Sequence, residues 1–292
     1  MKPSPSLKPS QRKRPRKAKE KKKMKNKIFF YTNQAESSLA TEKVFKEKVK
    51  EIGYEVADTL DEEVTLLVVI GGDGTFLDAI HAFDFPSIPI VGVNTGHLGF
   101  FQEFTPDDLD PFLHLYAKKK YTLQSMQIVY AAIRSQGRTF VRKGLNEIIV
   151  ASASDYAYSA HFNIYIGGSF IERFSGDGLL ISTPAGSTAY NYSLGGSIVD
   201  PRLRLLQATP IAPMNTTAYR SFTSSILLPP DKGLGIKPDE DFPDAAIVVA
   251  YDGFSERYES FDSIDIKLSG RHIDLIRLES YDFWAKVKSK FL

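Results

Sequence analysis

Gly71-Gly72-Asp73-Gly74-Thr75 is the stretch of this chain with the clearest chemical potential. Glycines let a backbone approach a phosphate and leave N–H groups free to bond it. A helix starting at such a loop adds the positive end of its dipole for the same anion. The loop has neither the Lys-Ser/Thr of a Walker-A loop nor the GxGxxG spacing of a dinucleotide fold. Asp73 stands in their place. An acid among phosphate-binding glycines repels phosphate unless it serves the reaction, by coordinating a cation or taking a proton from an attacking hydroxyl. Taken alone, the string also fits a tight turn with a solvent-facing acid.

A second constellation runs from Ser182 to Asn191 (STPAGSTAYN), preceded by Gly176-Asp177-Gly178. Its hydroxyls and backbone amides suit an adenine edge or a phosphate, and Tyr190 offers a flat face to a ring. It equally suits a Ser/Thr-rich loop capping a helix that begins near Ser187. The third is Asn146-Glu147, just before Ile148-Ile149-Val150. A carboxylate can accept two ribose hydroxyls and an amide can grip a base, although such pairs are most often polar residues at a strand edge. The five histidines are scattered without metal-ligand spacing. With no cysteine, thiol nucleophiles, disulfides and thiolate metal sites are all excluded.

The elements that must position these residues fall into two rhythms. Ile28–Tyr31 is a short β-type run, and Leu39, Val44, Val49 and Ile52 suggest a helix over 36–52 with Gly53 at its end. Thr65–Ile70 (TLLVVI) has the unbroken apolarity of a strand covered on both faces, and it runs directly into the glycine loop. Phe76, Leu77, Ile80 and Phe83 then follow at helical spacing, and Pro89–Val93 is the next strand. This alternation predicts an N-terminal α/β, Rossmann-like domain over 24–125 with a mainly parallel sheet. Beyond residue 125 come Gln127–Ile133, Asn146–Ala151, Phe162–Ile166, Ser169–Phe174, Leu179–Thr183, Ser225–Leu228, Ala246–Tyr251, Ile264–Leu268 and Ile273–Leu278. Turn chemistry such as Gly167-Gly168 and Ser269-Gly270 separates them. Many short strands predict a C-terminal, mostly β domain over 126–279 with two packed sheets, resembling a β-sandwich.

Charge is divided unevenly. Thirteen Lys and Arg against Glu20 put +12 on residues 1–27, leaving −10 on the remainder under a total of +2. Residues 1–23 are expected to be a disordered basic tail, because they offer no apolar segment to bury. They lack the apolar stretch of a secretory signal, and Met24 looks like a second possible start. No window approaches the ~18 apolar residues of a membrane span. The acidic body argues against a large nucleic-acid footprint, and the absence of cysteine fits a cytoplasmic setting.

Read in order, the motifs resemble the NAD kinase family over about residues 25–292. The marks are GGDGT (71–75), VNTGHLGF (93–100), NE (146–147), GDGLLISTPAGSTAYNYSLGG (176–196), TPIAP (209–213) and the ending FWAKVKSKF. Such kinases phosphorylate the 2′-hydroxyl of the adenosine ribose of NAD to give NADP. The resemblance implies ATP, another triphosphate or polyphosphate as donor, a homodimer or homotetramer, and a C-terminal segment near 280–292 that rejoins the first domain. It assigns Asp73 as proton acceptor, with Gly74 beside it at the dinucleotide. Asn146, Glu147 and Asp177 become NAD ligands. Thr188, Ala189, Tyr190, Asn191 and Ser193 belong to the adenosine-contacting stretch, and Phe100 and Ala212 to the pocket wall. Ala185 stands where the family often has Ser or Thr, so one hydroxyl contact is expected to be missing. Phe254 replaces a polar ligand-binding residue of some members and is left unassigned. No carboxylate cluster suggests a metal cage, so Mg²⁺ is expected to arrive with ATP. Diacylglycerol- or sphingosine-type lipid kinases also carry GGDGT, but usually with Asn-Glu after it, where this chain has Phe76-Leu77-Asp78. A non-catalytic nucleotide sensor is the other alternative.

Overall fold

The computed structural model describes residues 26–97, 99–153, 159–217, 220–243 and 246–292. The basic segment 1–23 lies outside them. The first part of the chain lays down β1 (Lys27–Thr32), α1 (Glu36–Glu51), β2 (Glu55–Val56), β3 (Val64–Ile70), α2 (Asp73–Ala82), β4 (Ile90–Val93), β5 (Gln102–Phe104) and α3 (Leu109–Ala117). Strands β2, β1, β3 and β4 lie side by side in that order and pair in parallel.

β3 shows why this sheet needs unbroken apolar sequence. Leu66, Val68 and Ile70 join Phe45 and Val49 of α1 and Phe112, Leu113 and Tyr116 of α3 in one core. Leu67 and Val69 face the other way, toward Phe76, Ala79 and Ile80 of α2. The sheet is therefore sandwiched between helices, as a parallel sheet with both faces covered must be.

α1 forms where the pattern places it but buries a different face. Ser38, Thr41, Phe45 and Val49 are buried, whereas Leu39, Val44 and Ile52 are exposed. At its N-terminal end α1 meets the polar loop after β4, where Ser38 Oγ and Thr95 Oγ1 share a 2.6 Å hydrogen bond. Farther along, Phe45 packs edge-on to Phe30 and Phe112. A helix facing a loop at one end and an aromatic core at the other does not keep one apolar stripe.

The remaining strands are β6 (Thr122–Ser135), β7 (Arg138–Gly144), β8 (Glu147–Ser152), β9 (Ala160–Ile166), β10 (Ser169–Gly176), β11 (Gly178–Ser182), β12 (Leu206–Ile211), β13 (Ile226–Leu228), β14 (Leu234–Pro238), β15 (Ile247–Tyr251), β16 (Phe254–Tyr258) and β17 (Ser263–Arg277). A helical turn, α4 (Tyr190–Ser193), precedes β12, and α5 (Phe283–Phe291) ends the chain. One antiparallel sheet runs β13-β12-β11-β8-β15-β16. It packs on the antiparallel part of the large sheet. Ile148, Val150, Leu179, Ile181, Ala208 and Val249 come from one side, and Val129, Phe162, Ile164, Phe174, Ile236 and Ile264 from the other. The architecture is thus the expected α/β layer plus β-sandwich.

The two parts share a spine. β17 pairs along its length with β6, while its other edge takes β14 near Ile264–Ile266 and β4 at Leu275. Fifteen residues reach ~50 Å at strand rise, enough to serve both cores. Ser269-Gly270 is therefore not a turn between strands. Leu268 pairs with Val129 and His272 with Gln127, so Ser269–Arg271 stand opposite Ile128 alone. The turn chemistry marks a bulge that re-aims a continuous strand.

Candidate active site

Asp73 is the first residue of α2, at the carboxyl end of β3, where open α/β sheets bind ligands. Its carboxylate accepts the N–H of Phe100 at 3.0 and 3.1 Å and that of Phe101 at 3.1 Å. The loop after β4 is thereby folded over the acid. Gly99 makes this possible: a Cβ there would lie 2.3 Å from Asp73 Oδ1 and 1.8 Å from Gln102 Oε1. At Gly74 a Cβ would meet only open space, so this residue leaves room beside the acid instead of relieving a clash.

The C-terminal helix closes one flank. Phe283 and Val287 of α5 are buried against Phe100, and Phe291 stacks on the Phe100 ring at 5.9 Å. Lys290 Nζ lies 3.6 Å from Asp73 Oδ2 and 4.7 Å from the Phe100 ring centroid. Lys286 bonds the Gln102 carbonyl. Burial and then the nearby Arg277 pull the Lys286 ammonium down to about 8. Arg277 itself is buried, bonding the Phe100 and Phe101 carbonyls and pairing with Glu103 at 3.0 Å.

Asn146 and Glu147 sit in the turn that starts β8, and both are buried. Asn146 Oδ1 and Glu147 Oε2 find no hydrogen-bond partner among the described residues. Burial, followed by the charge of Asp252, pushes the Glu147 carboxyl up to about 8. Unpartnered buried acceptors lower stability and persist where a ligand uses them. The 182–188 stretch is built around the same turn. Ser182 pairs with Glu147 across the sheet. Thr183 donates its N–H to the Asn146 carbonyl at 2.9 Å and its hydroxyl to the Leu145 carbonyl at 2.6 Å. Gly186 approaches so closely that a Cβ would sit 2.1 Å from Asn146 O. Ala185, in the short 3₁₀ turn Ala185–Thr188, leans on the same core as Phe76 and Ile80 of α2.

The other expected ligands are placed less uniformly. Thr188 and Ala189 are half-buried, while Tyr190 and Ser193 are exposed. Asn191 is fully buried, and its amide is held by the Thr209 hydroxyl at 2.6 Å and the Ser197 carbonyl at 3.4 Å. Asp177 and Ala212 lie together at the opposite end of β11: both are exposed, and the Asp177 N–H bonds the Ile211 carbonyl. Five residues of strand separate Asp177 from Ser182, ~16 Å. Within one chain, Asp177 and Ala212 therefore do not join Asn146 and Glu147.

Sequence reasoning missed four residues of this site. Lys290 and Lys286 are in FWAKVKSKF; the resemblance implies that this segment returns to the first domain, but nothing in their charge singles them out as neighbours of Asp73. Asp252 and His81 connect the site from behind, with His81 Nε2 2.9 Å from Asp252 Oδ2. The Asp252-Gly253 pair between two β-type runs was the available signal. Among the described residues no group of three or more His, Asp or Glu is poised to hold a metal, and no helix is long and apolar enough to cross a membrane.

Comparison with known proteins agrees with the layout. A family model described as the ATP-NAD kinase N-terminal domain matches residues 11–121, and one for the ATP-NAD kinase C-terminal domain matches 145–278. An NAD kinase of Finegoldia magna is 36% identical over 269 residues, covering 91% of this chain and 97% of that protein. The NAD kinase of Latilactobacillus sakei is 34% identical, with the same coverages of 91% and 97%. In fold, the chain is similar to yeast NADH kinase crystallised with NADH, at a TM-score of 0.78 and 19% identity, covering 91% of this chain and 87% of that one. It is also similar to an NAD kinase from Archaeoglobus fulgidus in complex with ATP, at a TM-score of 0.68 and 22% identity, covering 90% and 98%. Nothing in this set favours the lipid-kinase or sensor alternatives. With both halves matched by the family and close relatives covered along nearly their whole length, the chain belongs to the NAD kinase family.

Proposed function

We propose that this site transfers the terminal phosphoryl group of ATP to the 2′-hydroxyl of the adenosine ribose of NAD, giving NADP and ADP. Asn146 and Glu147 take the adenosine end of NAD, and their unpartnered acceptors are the observation that carries this reading. Asp73 removes the 2′-hydroxyl proton as the oxygen attacks the γ-phosphorus and the bond to the bridging oxygen breaks. Such transfers pass through a loose transition state, so positioning and charge neutralisation supply most of the acceleration. Among the described residues Lys290 is the cation paired with Asp73 and can offset charge there. Mg²⁺ would come with the donor, bound to its phosphates, and offset their charge. Inorganic polyphosphate and other triphosphates are compatible donors.

The acceptor also needs a grip on its nicotinamide half. Tyr190 and Ser193 are exposed and stay with the adenosine end, whereas the exposed Asp177 and Ala212 stand ~16 Å down β11 from Glu147. We assign Asp177 and Ala212 to the acceptor through a homodimer or homotetramer, in which one copy presents this end to its neighbour. The cysteine-free composition supports a cytoplasmic enzyme. The test is kcat/KM for NAD, NADH, AMP, diacylglycerol and a sphingoid base on one preparation. NAD or NADH should be preferred by orders of magnitude. Preference for a lipid, or equal use of AMP and NAD, contradicts the reading.

A further inference from the structure

Asp252 opens the two-residue turn joining β15 to β16. Both turn residues are left-handed, with φ 45° at Asp252 and 92° at Gly253, as a hairpin turn matched to strand twist requires. Asn or Gly would serve that turn as well. The side chain shows why an acid is there. It is fully buried, and its two oxygens collect four donors. Oδ2 accepts the Leu145 N–H at 2.6 Å and lies 2.9 Å from His81 Nε2. Oδ1 accepts the N–H of Asn146 at 2.8 Å and of Glu147 at 3.3 Å.

Three consecutive N–H groups converging on one carboxylate form an anion nest, and here the anion belongs to the protein itself. The turn has little room for any other shape: a Cβ on Gly144 would meet Glu147 O at 2.4 Å and Asp252 Oδ1 at 3.2 Å. His81 comes from the last turn of α2, the helix whose first residue is Asp73. Its ring is packed between Phe85 at 5.0 Å and Phe254 at 4.8 Å, so the imidazole is held in place as it meets Asp252. One carboxylate thus connects the turn that carries Asn146 and Glu147 to the helix that carries Asp73.

We infer that Asp252 is a positioning residue for the acceptor, setting the backbone of the 145–147 turn and, through His81, locking that turn to the helix of Asp73. This rests on the proposed assignment of Asn146 and Glu147 to NAD. Asp252 itself touches neither substrate, so its loss should act on the acceptor and spare the donor. A displacement of ~1 Å in groups that orient a reacting hydroxyl can cost ~10²-fold.

The experiment is steady-state kinetics of full-length wild type, Asp252→Asn, His81→Leu and His81→Gln, varying NAD and ATP separately, with a thermal melt of each. Asp252→Asn keeps one acceptor oxygen and loses the charge. It should raise the KM for NAD roughly 10–100-fold, the worth of hydrogen bonds to a charged group, with the KM for ATP within about threefold of wild type. His81→Leu should shift the KM for NAD in the same direction, and His81→Gln, which keeps an N–H donor, should restore most of the loss. A folded Asp252→Asn protein with unchanged KM for NAD overturns the inference, as does one in which the NAD and ATP constants rise together. Should Asp252→Asn not fold, His81→Leu decides: a folded protein with wild-type KM for NAD overturns it. Wild type that makes no NADP refutes the functional reading and this inference with it, whereas NADP from wild type with an indifferent Asp252→Asn refutes the inference alone.

Discussion

Replacing Glu147 by Gln should make the protein more stable and a worse enzyme, and the stability gain should depend on pH. The Glu147 carboxyl, ordinarily near 4.5, is pushed up to about 8, by burial first and by the charge of Asp252 second. A carboxyl that ionises less readily in the folded chain than in the unfolded one subtracts stability as pH rises. Below pH 4.5 both states hold the proton and nothing is lost. Between 4.5 and 8 the unfolded chain releases it while the folded chain keeps it. Above 8 both are ionised and the whole penalty is in place, of order 5 kcal/mol. Gln never ionises, so Glu147→Gln should match wild type near pH 4, gain about 3 kcal/mol at pH 7, and gain most above pH 8. Urea unfolding followed by far-UV circular dichroism at pH 4.5, 7 and 8.5 measures the gap. The same variant should use NAD less well, because a carboxyl group that can give up its proton and accept two ribose hydroxyls is replaced by an amide with a single acceptor oxygen. A gap that does not grow with pH, or a variant less stable than wild type at pH 8.5, refutes the account of Glu147 as a buried acid kept for its ligand.

Asp73→Asn should lower kcat by about 10²–10⁴, the usual worth of a general base, and turnover within threefold of wild type would remove Asp73 from that role. One amide oxygen cannot replace both carboxylate oxygens for the Phe100 and Phe101 N–H groups, so its melting temperature should also fall slightly, as a calorimetric scan would show. Gly186→Ala places a methyl 2.1 Å from Asn146 O. It should cost about 1–3 kcal/mol in a denaturant melt and raise the KM for NAD; a neutral result would mean the two backbones are not in such contact. Asp177→Ala should reduce kcat/KM for NAD more than for AMP, since AMP lacks the nicotinamide half; equal losses would detach Asp177 from the acceptor.

Much of this was legible in the sequence because local chemistry and global position agree. TLLVVI running into GGDGT can hardly be anything but a doubly covered strand delivering an acid to a helix start, and the structure places β3 and α2 there. The alternating runs beyond residue 125 likewise mark sandwich strands. What escaped depended on partners far away in the chain. Leu39 and Val44 are apolar but exposed, because α1 turns Ser38, Thr41, Phe45 and Val49 inward instead. Ser269-Gly270 has turn chemistry, yet β6 holds the strand straight through it as a bulge. In the site, Asn146 and Glu147 are recognisable as a motif, but the buried Asp252 that supports their turn lies more than a hundred residues later. Lys290 meets Asp73 only because α5 returns to Phe100. The separation of Asp177 from Glu147 likewise follows from strand register, with Ser182 rather than Asp177 opposite Glu147.

The central claim is the position on NAD to which the phosphoryl group is transferred. Purified full-length protein with NAD, ATP and Mg²⁺ should release one ADP for each dinucleotide phosphorylated. The product should be reduced by a dehydrogenase strictly specific for NADP and show a 2′-phosphomonoester by ³¹P and ¹H NMR. ADP released without a 2′-phosphorylated dinucleotide, or phosphate found at the 3′-position, would contradict the placement of Asp73 against the adenosine ribose.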